Sequence, residues 1–288
     1  MNDPESPIKR GYLVRSADGF LNASVAWIGC LLLGVLVFQG CATDHTRVAL
    51  PVQELVVRDQ LVVHSDFHVP KRHRLLDELT ARRHDISELL NLPTSDEPIN
   101  IYLFKKGDEF REYMQREHPK FPDRRAFFLK NDTTLTVLAY WGDRVGEDLR
   151  HEVTHGYLHS VVPNLPLWLD EGIAEYFETP RGKNGFNTPH IYHLANAFRR
   201  GDWTPDLPRL ETLTDPSTMT QMDYAESWLW VHYLIESDIY RQLLQDQLSR
   251  LRLDAESKPI SVFVESSIEN SEEKLLEHLK ELGEKLEP

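Results

Sequence analysis

The chain has 288 residues, 41% hydrophobic and 27% charged, which is enough for one sizeable core and unlike a disordered sequence. Its formal net charge of −14 argues against a nucleic-acid partner, whose phosphates it would repel. The only cysteines are Cys30 and Cys41, so residues 42–288 hold neither a disulfide framework nor a cysteine-built metal site, and any metal there must be held by His, Asp or Glu.

Val25 to Phe38 carries no charge and follows Lys9, Arg10 and Arg15. It is too short for a span of about twenty residues but suits the apolar part of an export signal over residues 1–40. Phe38-Gln39-Gly40-Cys41-Ala42 then resembles a bacterial lipobox, in which a cysteine behind a small residue is lipidated after cleavage. Phe38 and Gln39 depart from that pattern, and an uncleaved anchor is the alternative. Either way the body is expected to be exported to a bacterial envelope and tethered to its membrane. Ala42 is not the aspartate that retains such proteins in an inner membrane, which favours the outer one.

Residues 41–54 read as a lipidated linker, and 55–288 as one domain. Leu55 to Val57 and Leu61 to Val63 are β-rich triplets around Arg58-Asp59-Gln60, a predicted hairpin. Pro70 to Leu92 has apolar residues at helical spacing and stops before Pro93. Ile99 to Phe104 predicts a strand, Gly107 to Glu117 a short helix, and Arg125 to Leu129 with Thr133 to Ala139 a strand pair turning at Asn131-Asp132. The Thr133 strand is expected either as an edge that pairs with an extended substrate or as an interior strand. From Arg144 on, helices are predicted near 146–161, 166–178, 190–200, 222–236, 238–252 and 271–286. The expected class is α+β: an α/β part with a small mixed sheet over 55–143, then a mainly helical part over 144–288.

The chemistry concentrates in His151-Glu152-Val153-Thr154-His155. Two histidines four apart share one helix face, as binding one ion requires, and the glutamate beside the first is free to move a proton. Leu149, Val153, Leu158 and Val161 mark the helix as buried. A catalytic zinc takes three protein ligands and keeps one position open. His159 cannot be the third, because at 1.5 Å per residue it starts about 12 Å along the axis from His151. Leu158 and Val161 occupy the places where a glycine turn and distal histidine would fall. The next helix offers Glu171 as the third ligand and Glu175, one turn on, as acceptor for the free ring N–H of a ligating histidine. The bland alternative is a solvated acidic face.

The His151-Glu152-x-x-His155 motif followed by Trp168-Leu169-Asp170-Glu171-Gly172-Ile173-Ala174-Glu175-Tyr176-Phe177 resembles the gluzincin metallopeptidases, most closely the exported bacterial peptidase MA-like family. The resemblance spans roughly Arg125 to Leu234. It implies a zincin-like fold with the metal helix between sheet and helical part, Zn2+ as cofactor, and Glu171 as third ligand. The His155-to-Glu171 gap is shorter than in the aminopeptidases of that group, and their Gly-x-Met-x-Asn strand is absent. A membrane-tethered peptidase of the endopeptidase kind is therefore expected, acting on a peptide or protein with Glu152 as general base. Tyr224 is either the donor to the oxyanion or an ordinary packing aromatic, and His190 and His193 lie within possible reach. The rival readings are an inactive zinc-binding envelope lipoprotein and a metallohydrolase of a non-peptide bond.

Overall fold

In the computed structural model the described residues are 48–253 and 258–286. The expected signal, Cys41 and most of the linker lie outside them. The first predicted hairpin forms β1 (Glu54–Arg58) and β2 (Leu61–Ser65), antiparallel around Asp59, whose φ of 48° makes the tight left-handed turn. Helix α1 (Arg74–Leu90) starts where the His73 ring accepts from the Leu75 N–H and ends at left-handed Asn91, ahead of Pro93. It begins four residues later than the sequence pattern suggests, because Pro70, Lys71 and Arg72 are spent on a turn.

Strand β3 (Ile99–Phe104) and helix α2 (Gly107–Glu117) have the predicted bounds. Strands β4 (Ala126–Lys130) and β5 (Leu135–Tyr140) are joined by a turn in which the Asn131 side chain accepts from the N–H groups of Thr133 and Thr134. The sheet order is β1-β2-β3-β5-β4, with β2, β3 and β5 parallel and the outer pairs antiparallel. β5 is therefore interior. Its place as a substrate-pairing edge is excluded, because both its sides are occupied by ladder hydrogen bonds, and β4 is the outer strand on that side.

The remainder is helical: α3 (Val145–His159), α4 (Leu167–Glu178), α5 (Thr188–Arg200), α6 (Leu207–Glu211), α7 (Gln221–Glu236), α8 (Asp238–Arg252), α9 (Ile260–Ser267) and α10 (Ser271–Glu284). The short α6 and α9 and a 3₁₀ turn at Pro216–Thr218 were not legible in the sequence. The molecule is thus α+β, with a small mixed five-stranded sheet and a mostly helical remainder. No helix among the described residues is long and apolar enough to cross a membrane.

Strand alternation separates two cores. On one face Phe104, Phe127 and Leu138 pack on Phe110 and Met114 of α2. On the other, Ile99, Ile101, Val137 and Ala139 meet α3, whose Gly156 lies so close to Ile99 that an added Cβ would sit 2.9 Å from its side chain. Helix α4 packs between α3 and α7. Gly172 permits that contact, since a Cβ there would come within 2.6 Å of the Ser227 carbonyl oxygen. The sheet fixes α3, and α3 with α7 fixes α4.

Candidate metal centre and cleft

The two histidines of α3 and Glu171 of α4 converge. His151 Nε2 lies 3.2 Å from His155 Nε2, while Glu171 Oε2 is 3.4 Å from the first and 3.7 Å from the second. Their opposite nitrogens are engaged: His155 Nδ1 bonds Asp170 Oδ1 at 2.9 Å, and His151 Nδ1 meets Glu178 Oε2 at 3.3 Å. With each opposite nitrogen turned to a carboxylate, both Nε2 atoms aim at one point, where a proton or a metal ion can lie between them. Glu171 Oε2, in a residue 7% exposed, has no hydrogen-bond partner. Buried lone pairs do not face one another without something positive between them.

The spacing fits a metal ion. Two ligands each 2.0–2.1 Å from a tetrahedral zinc lie about 3.3–3.4 Å from each other, and the observed separations straddle that value. The His151, His155 and Glu171 group can therefore hold a metal ion. Protons compete for the same atoms. Burial disfavours a charged ring, yet Asp170 and Glu171 outweigh it and push His155 up to about 9, while Glu171 and Glu178 hold His151 well above its usual value. Metal binding displaces those protons, so affinity falls as pH is lowered.

Glu175 is not where the sequence reading put it. It was expected to accept from a ligating histidine, but its Oε2 bonds His190 Nε2 of α5 at 2.8 Å. The rings of the centre are served by Glu178 and Asp170 instead, because Glu175 points along α4 towards α5. Asp170 also accepts from His159 Nε2 at 2.8 Å, so one carboxylate orients two rings. Burial would raise the Asp170 carboxyl, but His155 and His159 overcome it and keep it well below the usual carboxylate range. His159 is in turn approached by Lys130 Nζ at 3.5 Å, which donates to the Pro163 carbonyl. Asp170 was visible in the sequence only as one acid of a charged run. Its position immediately before Glu171, on the helix side facing α3, was the available signal.

The centre opens onto a cleft of about 1040 Å³ lined by His151, Glu152, Glu175, Tyr224, His190 and His193, among others. Burial raises the Glu152 carboxyl against the opposing pull of His151 and His155. Tyr224 stands in the first turn of α7, a start fixed by the reciprocal Thr220–Asp223 capping box. Its hydroxyl oxygen accepts from Arg124 Nη2 at 3.1 Å, which leaves the hydroxyl proton for another acceptor. Burial and Glu171 raise its pKa and keep that proton in place.

No family model matches the chain, and no curated protein matches it.

Proposed function

We propose that the protein is a zinc-dependent peptidase of zincin-like fold and gluzincin type, exported and held at a bacterial membrane by its amino-terminal segment. The observation that carries this reading is the meeting of two imidazole nitrogens and one carboxylate oxygen at separations that fit tetrahedral coordination, with Glu152 beside them in the lining of an open cleft. Two imidazoles and one carboxylate favour zinc over the harder divalent ions. An open cleft suits catalysis better than a structural zinc site, which is normally closed and rich in cysteine.

When bound, zinc would polarise a carbonyl and lower the pKa of a water towards 7. Glu152 takes the proton from the attacking water and returns it to the leaving amine. Tyr224 donates its hydroxyl proton to the oxyanion that develops on the substrate carbonyl. Asp170 and Glu178 hold His155 and His151 in the tautomer that presents Nε2. An extended peptide would pair with the outer strand β4, whose first residue, Ala126, lines the cleft.

Metal analysis combined with a peptide-library digest tests the reading. Wild type should carry about one zinc and show chelator-sensitive hydrolysis. Glu152→Gln should keep the metal and lose about 10²-fold or more in turnover, as for removal of a general base. Glu171→Ala should lose the metal. Full turnover in the first variant, or full metal content in the second, would reject the assignment.

A further inference from the structure

The cleft contains cations that the proposed chemistry does not use. Of its lining arginines, four are neutralised by carboxylates: Arg125 by Asp148 at 2.6 Å, Arg150 by Glu78 at 3.4 Å, Arg144 by Glu147, and Arg111 by Asp108. Arg124 is different. Among the described residues its guanidinium has no carboxylate within 4.0 Å, and its one hydrogen bond goes to the neutral Tyr224 hydroxyl. A guanidinium carries five N–H donors in a planar fork, so four remain. Lys183, on the loop between α4 and α5, also lines the cleft without an ion pair among the described residues.

Arg124 lines the same cleft as His151 and Glu152. It lies on the segment leading into β4, and its guanidinium carbon stands 5.8 Å from the Tyr224 ring centre. Burial works against its charge, but Tyr224, Glu171 and Glu152 outweigh it, so the field of the candidate metal site reaches this side chain and keeps it cationic. In a chain of net charge −14, an unneutralised arginine beside the reacting groups is the position at which an anion is best accommodated.

We infer that Arg124 binds a carboxylate of the substrate, so that the cleft selects acidic peptides. This rests on the peptidase reading of the same site for its consequence in turnover, but not for its consequence in binding. The carboxylate belongs either to an Asp or Glu side chain or to a free chain terminus, and the two sources are separable.

The test uses the full chain with zinc and four peptides of one sequence: acetylated and amidated forms bearing Glu, Gln or Lys near the centre, and the Gln peptide with a free carboxyl terminus. kcat/KM is measured for each. Binding of each to the Glu152→Gln protein is followed by calorimetry, which needs no turnover. Wild type should favour the Glu peptide or the free-terminus peptide over the amidated Gln peptide by roughly tenfold, equivalent to about 1.4 kcal/mol. Arg124→Gln should abolish the preference, and Arg124→Glu should shift it to the Lys peptide. Equal handling of all four peptides, or an unchanged ratio in Arg124→Glu, overturns the inference. Carboxylate-dependent binding lost in Arg124→Gln, with no peptide cleaved by wild type, would instead sink the peptidase reading and leave the carboxylate site standing.

Discussion

Each imidazole of the centre has one nitrogen committed to a carboxylate and one to the interior of the site. The committing acids are Asp170 for His155 and Glu178 for His151. Removing such a partner releases the ring to rotate and lowers its basicity, which costs typically 10–100-fold in metal affinity. Asp170→Asn should show that loss in a competitive chelator titration, and more fully than Glu178→Gln, because the 2.9 Å contact of Asp170 is the shorter and its carboxylate also fixes His159. Glu175→Gln should change metal affinity little, since the Glu175 carboxylate is bonded to His190. An equal loss in all three variants would show that acidic charge alone, not ring orientation, governs binding. The distinction was out of reach of sequence: Glu171, Glu175 and Glu178 all lie on one side of a helix, and only the crossing of α4 over α3 decides which of them meets a ring.

At the scale of elements, α4 carries Glu171 and is positioned by its contacts with α3 and α7. Gly172 allows the approach to α7. Gly172→Ala would push a methyl against the Ser227 backbone, where neither helix can yield by a side-chain rotation. A cost of about 1–3 kcal/mol is expected for overpacking of this kind, read as a lower urea midpoint. Because the displaced residue neighbours Glu171, metal affinity should fall in the same variant. Stability lost with affinity untouched would mean that α4 relaxes as a rigid body.

The elements themselves were largely legible. Hairpin, strand and long-helix positions follow from β-branched triplets, from Asn and Pro stops, and from leucines at helical spacing. Glu54–Arg58 with Leu61–Ser65, and Ile99–Phe104, are cases where local pattern and tertiary packing agree. What failed was relational. Thr133 to Ala139 reads as a strand, but periodicity left open whether it is an edge or interior strand, and only the fold-back of β4 outside it makes β5 interior. Helices α6 and α9 are short, with Pro208 inside the first turn of α6 and Pro259 capping α9, so neither offers the several turns of helical spacing that mark the longer ones. The convergence of His151, His155 and Glu171 could be read because their spacing is local, whereas Arg124 beside Tyr224, one hundred positions apart, could not.

For the molecule as a whole, α10 packs on the helical body through Leu275, Leu279 and Leu282, and meets α7 also through a pair of histidines. His232 Nδ1 of α7 lies 2.9 Å from His278 Nε2 of α10, a bond that requires at least one ring to be neutral. Burial and the Lys285 charge lower both groups, and His278 further lowers His232, to about 3 for His232 and about 4 for His278. With folded values below the unfolded 6.5, the unfolded chain takes up these protons first. The contribution of this pair is therefore full above pH 6.5 and declines as pH falls towards 4, by on the order of 3 kcal/mol from His278 alone. His155 is shifted the other way: its contribution is complete below pH 6.5 and is lost as pH rises through about 9, so it stays nearly constant while the histidine pair loses its own. Denaturant midpoints measured from pH 7 to 4 should drop in wild type and drop less in His278→Gln. Parallel declines in the two proteins would show that the pair does not set acid tolerance.

The order of the candidate metal ligands along the chain bears on how the protein would acquire an ion. His151, His155, Asp170, Glu171 and Glu178 all fall within Val145–Glu178, two consecutive helices joined by residues 160–166. Closing a short loop costs little entropy, and the cost grows only slowly with length. An ion can thus be gripped by this helical hairpin before the sheet and the later helices have docked, and would nucleate it. Zinc added during refolding should speed recovery of native fluorescence, whereas zinc added afterwards could act only on stability.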